Sequence, residues 1–298
     1  EDHNVKYVMF YGDEGSAAIT DSMSLDILNP EKLKEFVGEG VYKMKVKEET
    51  KTTYKFDSKF EKAMKAIHLM DAKERKDVPE THQIWIDIGA KSKDEAESLV
   101  EIGDSAVFEC GLEHLYGSRY AARAFDDKAG CYCAFEALRR IKEKGGNPDF
   151  KITTVATSQE EIGTRGAWTA SYSVNPQIGI AIDVEHATDF PTCDIRRYGL
   201  IKLGAGVVIS RGPNINPVVF ERLVECAKKN NIPYQINAEP RPTGTDARIL
   251  QMTRRGVATG LLGIPLRYMH TPAETADLQD VQSCAALLEA FALSVRKE

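Results

Sequence analysis

The sequence predicts an α/β protein in which a mostly parallel sheet is covered by helices on both faces and carries a small β-rich insertion. From about residue 118 onward, short apolar runs alternate with helical patterns, which is typical of a sheet built from strand–helix units. Residues 16–117 are richer in charge and contain short alternating runs, which indicate a β module with one polar face. We therefore expect a three-layer α/β/α domain made of residues 1–15 and 118–298, with residues 16–117 as an inserted domain.

The inserted segment is expected to contain short strands and one helix. Residues 40–46 and 82–88 alternate between apolar and polar side chains, which predicts two strands. A helix is expected from Ser92 to Val100. Ser92 is suited to its N-cap, and Glu95, three residues further on, would complete a capping box.

The larger segment shows helical patterns separated by apolar strands. Helices are predicted at 127–144, 216–231 and 276–297, and strands at 152–157, 177–183, 234–238 and 257–262. The first and last of these helices each carry one apolar stripe, which we interpret as plain core. The stripes consist of Cys131, Ala134, Phe135, Leu138 and Ile141, and of Leu278, Val281, Ala285, Leu288 and Val295.

Composition and charge argue against several classes of function. The chain of 298 residues has a net charge of −6, which gives no electrostatic reason to expect nucleic acid or an anionic membrane as a partner. No apolar run approaches the ~18 residues of a membrane span. The polar start at residues 1–5 predicts no signal peptide. The six cysteines include no C-x-x-C pair, so we expect reduced core thiols, a cytoplasmic location and no thiolate metal site.

The adjacent carboxylates Glu160 and Glu161 are the most informative local feature. They follow an apolar run that predicts a buried strand, and glycines come shortly after them. Two neighbouring carboxylates are costly to place for packing alone, because like charges repel and carboxylates resist burial. A hydrolytic metal site uses such a pair, since one carboxylate can bind the metal while its neighbour moves a proton.

Three further segments place acidic or imidazole groups where strands give way to loops. Asp126 and Asp127 come just before a helix. Asp183 ends an apolar strand, and His270 follows another apolar stretch. Strand ends are the usual position of sites in open α/β sheets. Carboxylates and imidazole together are a suitable ligand set for two divalent metals that share a bridging carboxylate.

Each of these segments alone also has a structural explanation. Asp126 or Asp127 could be a helix N-cap, and Asp183 could be a turn former at the strand end. A lone His before Thr-Pro is more often structural or exposed than a ligand. We place Glu185 and His186 in a loop without a role. Four such segments in one α/β domain favour a metal site over coincidence.

Five motifs then occur in order along the chain. They are FDDKAG (125–130), QEEIGTRGA (159–167), AIDV (181–184), GTDA (244–247) and RYMHTP (267–272). Together they resemble the di-metal aminopeptidase family that includes glutamyl aminopeptidase, deblocking aminopeptidase and the tetrahedral aminopeptidases. Some members carry an older label of cellulase or endoglucanase. The resemblance covers nearly the whole chain, because residues 66–69 and 86–90 are similar to the family's smaller domain.

The resemblance implies a site and a mechanism. It implies that Asp126 bridges two divalent metal ions, with Zn or Co as the expected metals. Glu161 and His270 would complete one metal site, and Asp183 would belong to the other. Glu160 would be the general base that takes a proton from water and later returns it to the leaving amine.

The same resemblance implies substrates and assembly. Peptides would be the substrates, and residues 244–246 would form a loop near them. The inserted domain would resemble the β-rich module that the family uses in assembly. A homo-oligomer is therefore expected, with a dodecamer as the family's typical form.

The chain departs from the family pattern at one metal ligand. The family has a further His in a His-x-Asp motif, and no His-x-Asp occurs here. If residues 11–15 match the strand–turn after that motif, Asp2 takes the position of its Asp, and the His would lie just before Glu1. Lys128 replaces a common Arg, and Thr243 replaces a common Gly, which are mild changes.

These observations together predict a metal-dependent aminopeptidase. The first alternative is a catalytically impaired subunit or binding protein of the same fold. A second alternative is a glycosidase that uses two carboxylates. The adjacent Glu160 and Glu161 do not make the separated acid–base pair that such chemistry needs across a sugar.

Overall fold

A computed structural model describes four parts of the chain, and gives the backbone alone for the first two. These parts are residues 6–13, 55–56, 86–108 and 110–296. The chain divides into two compact units, one formed by Glu1–Leu28 with Leu112–Glu298, and the other by Asn29–Gly111. The assignment of residues 16–117 to an inserted domain stays a prediction.

The described elements are numbered in chain order. The strands are β1 (Lys6–Asp13), β2 (Lys55–Phe56), β3 (Val107–Phe108), β4 (Glu113–His114), β5 (Arg119–Ala122), β6 (Phe150–Thr157), β7 (Ile178–His186), β8 (Val207–Arg211), β9 (Tyr234–Ala238), β10 (Ala258–Arg267) and β11 (Glu274–Asp277). The helices are α1 (Lys93–Leu99), α2 (Phe125–Glu143), α3 (Arg165–Val174), α4 (Ile195–Tyr198), α5 (Pro217–Lys229), α6 (Asp246–Met252) and α7 (Leu278–Ser294).

In the smaller unit, the described residues form helix α1 and the parallel strand pair β2–β3. Ser92 caps α1 as predicted, because its hydroxyl accepts the N–H of Glu95 at 3.1 Å. The Glu95 carboxylate accepts the N–H of Lys91 instead of that of Ser92, so the capping box is only half formed. Residues 86–88, predicted as the end of a strand, have no regular structure. The predicted strand at 40–46 and residues 82–85 lie outside the described residues.

Nine of the described strands form one mixed sheet in the larger unit. The order is β4–β5–β11–β10–β7–β1–β6, and β8 pairs with both β10 and β9 outside this path. The pairs β6–β1, β1–β7, β7–β10 and β8–β9 are parallel. The pairs β10–β11, β11–β5, β5–β4 and β10–β8 are antiparallel. The centre of the sheet is parallel as expected, and short strands with no clear sequence pattern add antiparallel pairs beside it, which makes the sheet mixed.

Strands β7 and β10 contribute many buried residues to the core of the larger unit. Ile180 and Ile182 of β7 are at most 2% exposed, and Leu262 and Ile264 of β10 are fully buried. Strands that are covered on both faces have nearly continuous apolar sequences. This property explains why the sequence located both strands.

Two groups of helices pack against this sheet. Helix α2 contacts β1 and α7, and α7 also contacts α5. Helix α3 contacts β6 and α6. Helix α5 begins as its sequence predicts, with Asn216 accepting the N–H groups of Val218 and Val219 and Pro217 in the first turn. The predicted apolar stripe of α2 is buried, except that Phe135 is partly exposed.

The structure corrects the end of two predicted strands. Strand β7 runs to His186, so Asp183 lies inside it, and Glu185 and His186 are strand residues rather than loop residues. The predicted strand at 257–262 continues to Arg267 as β10. The two extensions pair with each other, because Asp183–His186 lies beside residues 263–266 in parallel register.

The start of the last helix is also corrected. It begins at Leu278 rather than at residue 276, because Glu274–Asp277 pairs with β5 as strand β11. Asp277 then caps the helix by accepting the N–H of Gln279 at 3.0 Å. Leu278 is 39% exposed instead of facing the core. The other predicted stripe residues of this helix are buried as expected.

The cysteines form no disulfide. All six cysteines are free thiols, and the buried ones are Cys131, Cys133, Cys226 and Cys284. Within the described ranges, no helix combines the length and the apolar character that a membrane crossing needs.

Candidate metal centre and active site

In the larger unit, three residues form a cluster, namely Asp126, Glu161 and His270. The Nε2 atom of His270 is 3.0 Å from Asp126 Oδ2 and 3.3 Å from Glu161 Oε2. One possible ligand atom from each of the three residues lies within 4.8 Å of the others. Two carboxylates and one imidazole at these distances could hold a divalent ion.

The topology of the sheet brings these distant segments together. Glu161 follows β6, Asp183 lies near the end of β7, and His270 follows β10. These strands belong to the parallel centre of the sheet, so their carboxyl ends meet at the same edge. Asp126 reaches the same edge, because β5 is antiparallel to β11 and β11 is antiparallel to β10, so β5 runs in the direction of the central strands and Asp126 follows its carboxyl end.

The buried carboxylate of Glu274 links two of the clustered segments through their backbones. Its Oε1 atom accepts the N–H of His270 at 2.9 Å, and its Oε2 atom accepts the N–H of Asp126 at 3.2 Å. Glu274 is 3% exposed, so it has little freedom to move. The sequence analysis missed this residue. The one available signal was an acidic residue four positions after His270, which by itself also suits an ordinary helix start.

Asp127 has a different role from its neighbour Asp126. It is buried, and its Oδ1 atom accepts the N–H of Gly130 at 2.7 Å. A carboxylate that accepts an N–H three residues further on acts as a helix N-cap, so the capping alternative applies to Asp127. Gly130 has no room for a side chain, because an added Cβ would lie 2.1 Å from Asp127 Oδ2. The Asp126–Asp127 peptide bond is cis.

Burial and neighbouring charges raise the pKa of Asp126. Its pKa is about 6, against an ordinary 3.8, mainly because the carboxyl is buried. The charge of Glu161 raises the pKa further, as does that of Glu274, while His270 lowers it. A cation bound at this position would reverse the effect, because it stabilises the ionised carboxylate.

The pKa values of two neighbouring carboxyl groups, Asp127 and Asp183, are also raised. Burial raises the pKa of Asp127, and the charge of Asp183 adds to the rise. Burial also raises the pKa of Asp183, with the charges of Asp126 and Glu160 as further causes. Several carboxylates that oppose one another's ionisation form an arrangement that is costly without a cation.

Unusual backbone conformations occur beside the cluster. Ala124, Gln159 and His270 have φ angles of 59°, 63° and 61°. Non-glycine residues seldom adopt this left-handed region, and they do so mainly where the surrounding structure demands it. Ala124 and Gln159 each come two residues before a cluster member. The backbone is therefore held in uncommon conformations at all three segments of the cluster.

A cavity of about 810 Å³ lies beside the cluster. Asp126, Glu161 and His270 line it, and so do Glu160 and Asp183. The structure therefore brings all five sequence-predicted site residues to one cavity. The rest of the lining comes from β7, β8 and β10, from the segments that follow β6, β9 and β10, and from α3 and α6.

The predicted substrate loop at 244–246 also reaches this cavity. Gly244 and Thr245 line it, whereas Asp246 is buried at the start of α6. The Asp246 Oδ2 atom accepts the Thr157 hydroxyl at 2.7 Å, and Oδ1 has no hydrogen-bond partner among the described residues. Burial raises the pKa of Asp246 to about 6, and the hydrogen bond from Thr157 opposes the rise.

Glu185 and Glu239 form an acidic pair on another part of the cavity lining. The side-chain amide of Asn237 donates to both, at 3.1 Å to Glu185 Oε2 and 2.6 Å to Glu239 Oε1. Burial raises the pKa of Glu185 to about 7, the bond from Asn237 lowers it, and the charge of Glu239 raises it further. The sequence analysis missed this pair. No local pattern marks it, because β7 and β9 are neighbours only through β10 and β8.

Comparison with known proteins assigns this chain to a class of peptidases. Residues 41–287 match the family model described as M42 glutamyl aminopeptidase, and the chain belongs to this family. The chain is also similar to the lysyl aminopeptidase of Pyrococcus furiosus. The two are 41% identical over 209 residues, which cover 70% of this chain and 58% of that protein.

Solved structures of aminopeptidases share the fold. Aminopeptidase APDkam598 from the archaeon Desulfurococcus kamchatkensis matches with a TM-score of 0.70 at 35% identity, covering 78% of this chain and 64% of that one. PhTET1-12s, a dodecamer in the asymmetric unit of its structure, matches with a TM-score of 0.60 at 29% identity, covering 71% and 62%. The mixed α/β fold and the family resemblance are thereby confirmed. The chain spans less than two thirds of the length of each of these relatives.

Proposed function

We propose that the chain is a metal-dependent aminopeptidase that removes N-terminal residues from peptides. The observation that carries the proposal is the group of Asp126, Glu161 and His270 beside a large cavity, in a chain of an aminopeptidase family. The relatives leave the preferred N-terminal residue open, because the family is one of glutamyl aminopeptidases and the similar Pyrococcus protein is a lysyl aminopeptidase.

The residues present fit divalent transition-metal ions. Asp126, Glu161 and His270 would hold one ion, and Asp126 with Asp183 would contribute to a second. Imidazole beside carboxylate suits zinc or cobalt better than magnesium or calcium, which prefer oxygen ligands. When bound, the ions would polarise the scissile carbonyl and lower the pKa of the attacking water. The raised pKa of Asp126 supports the fit, because a cation would stabilise its ionised form.

Glu160 is the proposed general base. It lines the cavity, precedes Glu161 in the chain and lies close enough to Asp183 to raise the pKa of that carboxyl. It would take a proton from the attacking water. It would then return the proton to the leaving amine, because a general base that has been protonated can act as the general acid of the next step.

The proposal extends to architecture and assembly. The contacts of α7 with α2 and with α5, and of α3 with α6, support a three-layer arrangement with helices on both faces of the sheet. Residues 16–117 would be the inserted domain, and the protein would be a cytoplasmic homo-oligomer larger than a dimer. The dodecamer formed by the similar PhTET1-12s supports this expectation. A stable monomer in light scattering at micromolar concentration would contradict it.

Hydrolysis assays test the proposed reaction. The chain should release the first residue of a peptide with a free amino terminus and should leave the N-acetylated peptide intact. A chelator should abolish the activity, and zinc or cobalt should restore it. Cellulose should not be hydrolysed under any of these conditions. Cleavage of cellulose would favour the glycosidase alternative, and metal binding without any peptide cleavage would favour an impaired subunit.

A further inference from the structure

We propose that Glu185 and Glu239 recognise a cationic side chain, so that the enzyme prefers substrates whose N-terminal residue is lysine or arginine. This inference rests on the proposed aminopeptidase function and names its substrate class. It follows from the charge, the position and the rigidity of the acidic pair.

The acidic pair has no cationic partner among the described residues. The hydrogen bonds to its carboxylates come from the Asn237 amide and, for Glu185, from the N–H of His186 at 3.0 Å. No Lys or Arg of the described residues forms an ion pair with either carboxylate. Partly buried carboxylates that line a cavity and share one neutral donor are stabilised by a cation that enters the cavity.

The position of Glu185 matches a substrate side chain rather than the substrate's amino group. Glu185 lies two residues after Asp183 on the same strand, so both side chains project from the same face, about 6.6 Å apart along the strand. The amino group of the first residue is separated from the scissile carbonyl by one carbon. The amino group must therefore stay beside the proposed reaction centre. A long side chain can extend from there to Glu185, two residues after Asp183 on the strand.

The acidic pair and the cluster line the same cavity. His186, which follows Glu185 in the chain, lines this cavity together with His270 and Glu239. A substrate whose carbonyl is near His270 would therefore have its side chain in the cavity that the acidic pair lines.

The acidic pair is held in place by its neighbours. Asn237 fixes the separation of the two carboxylates because one amide donates to both. Gly263 leaves room for Glu185, since an added Cβ would lie 2.7 Å from Glu185 Cβ. A preorganised pair of acceptors loses little conformational entropy when it binds an ammonium or guanidinium group.

The remaining lining suits the long apolar stem of such a side chain. Ile249, Met252 and Met269 line the same cavity. Lysine has a flexible four-carbon stem that packs on apolar surface while its ammonium group reaches polar partners. Arg248 also lines the cavity but is exposed, so solvent screens its charge.

Kinetics with paired substrates test the recognition. The 4-nitroanilides of lysine and norleucine differ in the terminal ammonium group, which norleucine lacks. The parent enzyme should show kcat/KM at least about tenfold higher for the lysyl substrate, as expected for a charge-assisted contact. Glu239→Gln and Glu185→Gln should each reduce this ratio severalfold, and the double variant should bring it near one. Glu221→Gln removes an exposed charge of α5 outside the cavity lining and should leave the ratio unchanged.

An equal loss for both substrates in the Glu239→Gln variant would overturn the inference, because it would mean that the pair binds the common amino group. A ratio near one in the parent would also overturn it.

A binding experiment separates failure of this inference from failure of the proposed function. Calorimetry on the Glu160→Gln protein compares lysinamide with norleucinamide, so that turnover plays no part. If lysinamide binds more tightly than norleucinamide, and this difference is lost in the double variant with Glu160→Gln and Glu239→Gln, recognition by the acidic pair is supported even if no peptide is hydrolysed. Peptide hydrolysis together with equal binding of the two amides leaves the aminopeptidase intact and refutes the cationic site.

Discussion

Glu274 accepts the backbone N–H of His270 at 2.9 Å, and its second oxygen accepts that of Asp126 at 3.2 Å. One buried carboxylate thus connects two segments that are 144 positions apart in the chain and whose side chains meet in the cluster. Glu274 is not among the residues that line the cavity. It acts as a positioning residue, because the distance between the two ligand-bearing segments depends on both of its oxygens.

Replacing Glu274 with Gln should weaken metal binding. An amide has one accepting oxygen, so one of the two backbone N–H groups would lose its partner. Outer-shell partners of metal ligands typically contribute 10–100-fold to affinity, and we expect a loss of roughly that size by metal titration. Glu289→Gln is a matched control. Glu289 is also buried, but it lies in α7, pairs with Lys144 and does not line the cavity. Unchanged metal affinity in Glu274→Gln would remove its positioning role.

Replacing Glu160 with Gln should separate catalysis from metal binding. The variant should retain nearly full metal content and lose a factor on the order of 10² or more in kcat, as expected for a missing general base. Glu225→Gln, an exposed change on α5, should behave as the parent does. Turnover close to that of the parent in Glu160→Gln would exclude this residue from proton transfer.

Replacing His270 or Glu161 with Ala should lower metal content and activity together. Each change removes one of three groups whose possible ligand atoms lie within 4.8 Å of one another. Metal analysis after dialysis, alongside peptide hydrolysis, would measure the effect. His114→Ala is a control, because this exposed His bonds to the carbonyl of Gly117 and lies outside the cavity lining. Full metal occupancy in both test variants would show that the cluster is not a metal site.

Replacing Asp246 with Asn should change how stability depends on pH. Burial raises the pKa of Asp246 from 3.8 to about 6, so the folded protein binds more protons than the unfolded chain between these values. The contribution of this carboxyl to stability therefore falls as the pH rises through that window, by on the order of 3 kcal/mol in total. Asp246→Asn should accordingly gain stability relative to the parent when the pH is raised from 4 to 8.

Thermal unfolding of the chelated protein at several pH values would measure this effect. The Tm difference between Asp246→Asn and the parent should become more positive with rising pH. Glu221→Gln, which removes an exposed carboxyl, should show a small and constant difference. A constant difference for Asp246→Asn would mean that the carboxyl has a similar pKa in the folded and unfolded states.

Local sequence patterns predicted the strands and helices whose ends are marked by residues nearby in the chain. Strand β9 was predicted with the bounds it has, and α5 was found within two residues at each end, because apolar periodicity and capping residues mark them. The five proposed site residues, which line one cavity, were predicted because carboxylates and imidazole beside apolar strands are unusual. Asp127 shows the limit of this approach. Its type is the same as that of Asp126, so residue chemistry alone does not separate them; the family resemblance singled out Asp126, and the structure shows that Asp127 is the cap.

The sequence by itself determined the family and the α/β class and predicted the residues of the site, because these depend on motifs and on short-range periodicity. Only the tertiary structure decided the mixed sheet, the two backbone hydrogen bonds that Glu274 accepts, and the acidic pair of Glu185 and Glu239. Each of these depends on pairings between segments that are far apart in the chain. Strand β11 forms because β5 and β10 lie on either side of it, and Glu185 meets Asn237 because β10 and β8 stand between their strands. Such contacts are selected by the packing of the whole sheet, and no local stretch of sequence encodes them.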